Sequence, residues 1–126
     1  MKQIFQTVNA PSPVGPYNQA VAINGMLYVS GQIAIDPKTG NFVTNTIQEE
    51  TTQVMKNIHA ILLEAGVTFE NVIKASIFIA DMNDFAEINK VYASYFNEDT
   101  APARECVEVS KLPKNVNVEI SIIAHL

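Results

Sequence analysis

Asn24-Gly25 stands between two apolar runs, Ala20-Val21-Ala22-Ile23 and Met26-Leu27-Tyr28-Val29, and no other short feature constrains the fold as much. Both turn residues tolerate positive φ, so the two runs are expected to return on one another as an antiparallel hairpin. A lone hairpin is marginal in water and needs further strands and an apolar cover. The second run continues through Ser30-Gly31-Gln32-Ile33-Ala34-Ile35 to Asp36-Pro37-Lys38-Thr39-Gly40, whose Pro and Gly give it turn character, and a short returning strand is expected at 41–43.

The cover is visible further along. Thr46-Ile47-Gln48-Glu49 reads as a capping box, and Ile47, Thr51, Val54, Ile58, Ile61, Leu62 and Ala65 then recur at helical spacing up to Gly66, a C′ residue. Val72 to Ala80 is β-branched and apolar enough for a central strand, so strand, helix and strand predict a right-handed crossover. Asp84-Phe85-Ala86-Glu87 offers a second capping box, with Phe85, Ile88, Val91, Tyr92, Tyr95 and Phe96 as the inward stripe of a second helix. Two strands close the chain, near 103–109 and 116–124. Two helices cannot cover both faces of a sheet of five or six strands, so they are expected to share one face of an α+β layer. Val118, Ile120, Ile122 and Ala124 alternate with Asn117, Glu119, Ser121 and Ile123, which leaves apolar content on both sides of the last strand. The second face is therefore expected to be buried in a homo-oligomer.

At 126 residues and 13.8 kDa the chain is expected to form one domain, 1–126, with no internal repeat or linker. No apolar run approaches the roughly 18 residues of a membrane span. The start, Met1 to Gln6, lacks an apolar h-region, so a cytoplasmic location is expected. One cysteine, Cys106, makes no intramolecular disulfide and no metal cluster, and His59 and His125 lack metal-ligand spacing, so no metal site is expected. A net charge of −5 and scattered lysines argue against nucleic-acid binding, which depends on clustered basic residues.

Only one arginine is present among eight basic residues: Arg104, in Pro102-Ala103-Arg104-Glu105-Cys106-Val107-Glu108-Val109. Lysine serves wherever a generic positive charge would do, so a lone guanidinium points to a need for a planar, bidentate donor. Strand alternation after Pro102 places Arg104, Cys106 and Glu108 on one face and Ala103, Glu105, Val107 and Val109 on the other. Two readings of Arg104 stay open on these grounds: a clamp for a carboxylate ligand, or a structural ion pair. Glu119, between Val118 and Ile120, is either a partly buried carboxylate able to act on a water or a solvated or salt-bridged edge residue. If the two closing strands pair, Arg104 and Cys106 share a face with Glu119 and Ser121.

Asn89 falls within the apolar arc of the second helix, where a buried amide needs partners in a loop or a ligand. Gly31 is the one glycine away from an evident turn or cap, as at a bulge or a close backbone approach. Ser30 beside it offers a hydroxyl, either to a ligand or to the backbone. Tyr17 ends the rigid loop Pro13-Val14-Gly15-Pro16-Tyr17, packed over the loop or lining a pocket. Cys106 has no histidine near it in sequence to activate it, so a Cys–His pair is not expected.

Gly15-Pro16-Tyr17-Asn18-Gln19-Ala20, Tyr28-Val29-Ser30-Gly31-Gln32, Asn89 to Phe96, Pro102 to Val109, and Leu112-Pro113 with Val118-Glu119-Ile120 closely resemble the RidA-type reactive intermediate deaminases, in order and over nearly the whole chain. The resemblance implies a chorismate-mutase-like α+β fold, a mixed sheet of about six strands with two helices on one face, and a homotrimer with a central sheet barrel and ligand clefts between subunits. The implied activity is hydrolysis of reactive 2-imino or 2-enamino acids, such as 2-aminoacrylate and 2-iminobutanoate, to 2-keto acids and ammonia, protecting pyridoxal-phosphate enzymes without a cofactor. On the same resemblance Arg104 clamps the substrate carboxylate and Glu119 positions or activates the attacking water. Tyr17, Ser30, Gly31, Asn89 and Cys106 then shape the substrate pocket. The alternative, a regulatory protein that binds a 2-keto acid without turnover, uses the same arginine. Asn18 departs from the serine frequent in the family.

Overall fold

The hairpin forms as the Asn-Gly signal requires. In the computed structural model, which describes residues 1–126, β2 (Ala20–Ile23) and β3 (Met26–Gln32) pair antiparallel with Ile23 opposite Met26. Asn24 and Gly25 have φ of 52° and 76°, the left-handed conformation that a two-residue hairpin turn demands. A further strand, β1 (Gln3–Phe5), adds to β2 and has no counterpart in the sequence reading, because three residues carry too little alternation to register. Conversely, residues 41–43 form no strand. They contribute only one isolated bridge, Ile35 to Phe42, because the chain leaves the sheet after Gln32.

Helix α1 (Ile47–Glu64) begins at Thr46, whose hydroxyl accepts from the Glu49 N–H at 3.1 Å, and ends before Gly66 at φ 77°. Helix α2 (Phe85–Ala93) starts differently from expectation. Asp84 makes no capping bond, because it already lies in the 3-10 turn Met82–Asp84, and Asp81 caps that turn by accepting from the Asn83 N–H at 2.9 Å. Glu87 instead accepts from Gln48 Nε2 at 2.9 Å, tying α2 to α1.

The remaining strands are β4 (Val72–Ile79), β5 (Ala103–Glu108) and β6 (Val118–His125), and the six-stranded order is β1-β2-β3-β6-β4-β5. Only β4 and β5 run parallel; every other neighbouring pair is antiparallel. The β4-α2-β5 crossover therefore joins true neighbours, whereas β3-α1-β4 leaves a gap that β6 fills. Both helices pack on one face, where Leu27, Val29, Val54, Ile58, Ile61, Leu62, Ile77, Ile88 and Ile120 form the core. Each such side chain contributes about 1.5–3 kcal/mol by burial, so truncating Ile58 to alanine would cost about 2–5 kcal/mol. The other face has no cover: Tyr28 and Val107 are 43% and 41% exposed, and Lys74 meets Glu105 there at 2.9 Å.

The two closing strands do not pair. β4 lies between them, because β6, apolar on both faces, takes the central slot while β5, with its exposed charges, stays at the edge.

Candidate functional site

Strand alternation carries the closing strands' polar residues to opposite sides of the sheet. Arg104, Cys106 and Glu108 pair with Ala75, Ile77 and Ile79, whose side chains are buried under the helices. Glu119 pairs with Phe78, between the buried residues Val118 and Ile120, and so faces the uncovered side. The expectation that Arg104 and Cys106 share a face with Glu119 and Ser121 is thus corrected: insertion of β4 shifts the register by one strand and one side. A salt bridge between Arg104 and Glu119 within one chain is ruled out by the same geometry.

Two clusters result. In the first, a cavity of about 530 Å³ is lined by Tyr17, Ser30, Gly31, Glu119, Lys114 and Gln19, among others. Gln19 holds its loop wall: Nε2 donates to the carbonyls of Thr7, Ala10 and Pro11, and Oε1 accepts from the Thr7 N–H at 2.7 Å. Ser30 is committed to the same wall, its hydroxyl donating to the Asn18 carbonyl at 2.6 Å. Tyr17 stays half exposed, its phenol oxygen accepting from the Val14 N–H at 3.4 Å. The pairing of β3 with β6 is irregular between Val29 and Gln32, so Gly31 bulges beside Glu119. A β-carbon on Gly31 would lie 2.6 Å from Glu119 Oε2, so glycine is needed for space and not for its φ. Burial pushes the Glu119 carboxyl above the usual carboxylate range.

In the second cluster Arg104 Nη1 donates to Asn89 Oδ1 at 2.6 Å, and the guanidinium carbon lies 5.2 Å from the Tyr92 ring centroid and 5.5 Å from that of Phe85. Arg104 is exposed and makes no ion pair; the salt bridge in the structure joins Lys74 and Glu105. An arginine gripped from behind by an amide and two rings, with no carboxylate of its own, presents its remaining N–H groups outward. Cys106, half-buried one pleat further along β5, has its thiol pushed up by burial, with the Arg104 charge opposing in part. A group held as the thiol is a poor nucleophile. Neither histidine activates it: His59 stacks on Phe69 at 5.7 Å, and His125 ends β6 opposite Met26.

Comparison with known proteins decides what kind of chain this is. The family model for endoribonuclease L-PSP matches residues 7–126. A RutC family protein of Synechocystis is 53% identical over 98% of this chain and 96% of its own. The 2-iminobutanoate/2-iminopropanoate deaminase of Mus musculus is 41% identical over 98% and 91%. The crystal structure of a Rid family protein of unknown function from Yersinia pestis superimposes with a TM-score of 0.97 at 50% identity, over the whole of both chains.

The chain belongs to the endoribonuclease L-PSP (RidA) family. Its RidA-type fold brings Tyr17, Ser30, Gly31 and Glu119 together in one cavity and Asn89, Arg104 and Cys106 in another cluster. Sequence reasoning missed Phe85 and Tyr92 as supports of the guanidinium, having assigned both to the core stripe. The signal was the helical spacing: Phe85, Asn89 and Tyr92 lie on one arc, so what reaches the amide reaches both rings. It also missed Lys114, which counted only among the scattered lysines. Lys114 and Asn115 have φ of 58° and 57°, and this left-handed corner turns Pro113 and Lys114 into the cavity wall.

Proposed function

We propose that this RidA family member hydrolyses small 2-imino and 2-enamino acids to 2-keto acids and ammonia, removing intermediates that escape pyridoxal-phosphate enzymes. The observation that carries the reading is Arg104, oriented by Asn89 and without a carboxylate partner in its own chain. Its free N–H pair matches a carboxylate in fork geometry. An imine carbon beside that carboxylate is already electrophilic, so catalysis reduces to orienting the substrate, supplying water and moving protons.

Water adds to C2 of the imine to give a carbinolamine. A proton reaches the nitrogen, the C–N bond breaks, and ammonia leaves as the hydroxyl oxygen becomes the keto oxygen. Glu119 is suited to taking the proton of the attacking water and returning it to the leaving nitrogen, because burial has moved its pKa upward toward the working range. A relative at 41% identity that bears a 2-iminobutanoate/2-iminopropanoate deaminase name supports the same substrate class.

Arg104 and Glu119 lie on opposite faces of one sheet, so the complete site is assigned to the junction of neighbouring subunits in a homotrimer built on the uncovered sheet face. One subunit supplies the arginine and the next supplies the Glu119 cavity. Light scattering should then give three times the chain mass of 13.8 kDa. The decisive experiment measures keto-acid release from imine generated in situ by a threonine dehydratase, with wild type and Arg104→Ala. Acceleration by wild type alone supports the deaminase. If neither beats the spontaneous rate while 2-ketobutyrate binds wild type, the chain is a non-catalytic 2-keto-acid sensor.

A further inference from the structure

Glu50 is a carboxylate with no contact to solvent, in the first turn of α1. No cation pairs with it. Instead Oε2 accepts from the backbone N–H of Asn117 at 2.7 Å and of Val118 at 3.2 Å, and Oε1 accepts from Asn117 Nδ2 at 2.8 Å. A charge buried this deeply is costly unless its hydrogen bonds are complete, and here three N–H donors and the positive end of a helix surround it. These donors belong to the two residues that immediately precede Glu119.

The rest of that segment is held from other sides. The Asn117 carbonyl accepts from the Ala80 N–H at 3.0 Å, and the Val116 N–H closes the corner onto the Pro113 carbonyl at 3.3 Å. On the β3 side of Glu119 the regular ladder is interrupted at the Ser30-Gly31 bulge, so that edge gives the carboxylate less support than a continuous strand would. Glu119 is thus held from one side by β4, where it pairs with Phe78, and at its N-terminal end by the start of β6, which Glu50 anchors.

We infer that Glu50 is a positioning residue for Glu119: from the far side of the sheet it fixes the Asn117-Val118 backbone, and so holds the Glu119 carboxylate over Gly31 at the place where the attacking water must sit. This rests on the role proposed above for Glu119. The residue itself touches no substrate. Its sequence signal is its place on the apolar arc of α1, three residues after Ile47 and four before Val54, where a charge is out of pattern.

The test compares Glu50→Ala and Glu50→Gln, each alone and with Glu119→Gln, in the imine hydrolysis assay. Glu50→Ala should lower kcat at least about tenfold with KM within about twofold, because a misplaced base slows chemistry without loosening the arginine clamp. Glu50→Gln should recover most of that loss, since one carbonyl oxygen still accepts both backbone N–H groups and a reversed Asn117 amide accepts from the glutamine. In the Glu119→Gln background Glu50→Ala should cost no further kcat. An undiminished loss in that background, or a loss confined to KM, overturns the inference.

If Glu50→Ala does not fold, Glu50→Asp, one methylene shorter, takes its place with the same expectations. A wild type without turnover would sink the proposed function instead. The inference is then read by NMR from the titration midpoint of the Glu119 carboxyl, with Tyr17 and Lys114, the other ionisable groups lining the cavity, left unaltered. The Glu119 midpoint should move toward the ordinary range in the folded Glu50 variant, and an unmoved midpoint overturns the positioning role.

Discussion

Glu119 Oε2 occupies space 2.6 Å from where a β-carbon on Gly31 would lie, so the side chain of one strand and the missing side chain of its neighbour define a single position. Contacts this short do not occur with a real Cβ, and either the carboxylate or the bulge would have to move.

Gly31→Ala follows as a prediction. The φ of Gly31 lies outside the left-handed region, so alanine strains no backbone and the fold should survive, with a thermal midpoint within a few degrees of wild type. Displacing Glu119 by about 1 Å should lower kcat by about 10²-fold. Unchanged kcat at unchanged stability would remove Glu119 from the chemistry.

Arg104→Ala should cost about 1–2 kcal/mol of stability through the lost Asn89 hydrogen bond and ring contacts, and leave the chain folded because the side chain is exposed. Turnover should fall by about 10²-fold or more as the carboxylate anchor is lost. Arg104→Lys should recover little, since one ammonium cannot both donate to Asn89 and present a fork to a ligand. Steady-state kinetics and keto-acid affinity measured on both variants check this, and a fully active lysine variant would refute the clamp.

The raised pKa of Glu119 gives a signed pH dependence. The folded state holds this proton more tightly than the unfolded state, so the stability contribution is complete below the ordinary carboxylate value and is lost as pH rises through the raised value. Glu119→Gln should flatten that slope in urea titrations and raise the thermal midpoint near neutral pH, while lowering kcat by about 10²-fold. Wild-type kcat should rise with pH through the same window, as the base loses its proton. A pH–rate profile identical in wild type and Glu119→Gln would contradict the assignment.

Tyr92 supports Arg104 with its ring, yet its buried hydroxyl has no hydrogen-bond partner. An unsatisfied buried hydroxyl costs about 1–3 kcal/mol, so Tyr92→Phe should stabilise the protein by about 1 kcal/mol in urea unfolding and keep activity. A loss of stability would show that a neighbouring subunit supplies the partner.

How much of this was legible in the sequence depended on distance along the chain. The Asn24-Gly25 turn, the Thr46 cap, the Gly66 stop and the split of β5 into an Arg104 face and a Glu105 face rest on two to four consecutive residues, and all are observed. Neither expected capping box closed: at α1 only the Thr46 half formed, and ahead of α2 a 3-10 turn moved the cap to Asp81. The three-residue β1 and the Glu50 anchor each depend on a partner far away: β1 on the hairpin it joins, Glu50 on the approach to β6, 67 residues later.

Local patterning therefore accounts for the two helices and the five longer strands, the face on which each strand residue lies relative to its own neighbours, and the lone guanidinium. That β6 enters between β3 and β4, and with it that Arg104 and Glu119 face opposite ways, emerges from the assembled sheet. The reason is physical: pleat alternation is a property of one strand, whereas strand order is chosen by which apolar faces bury the most surface together.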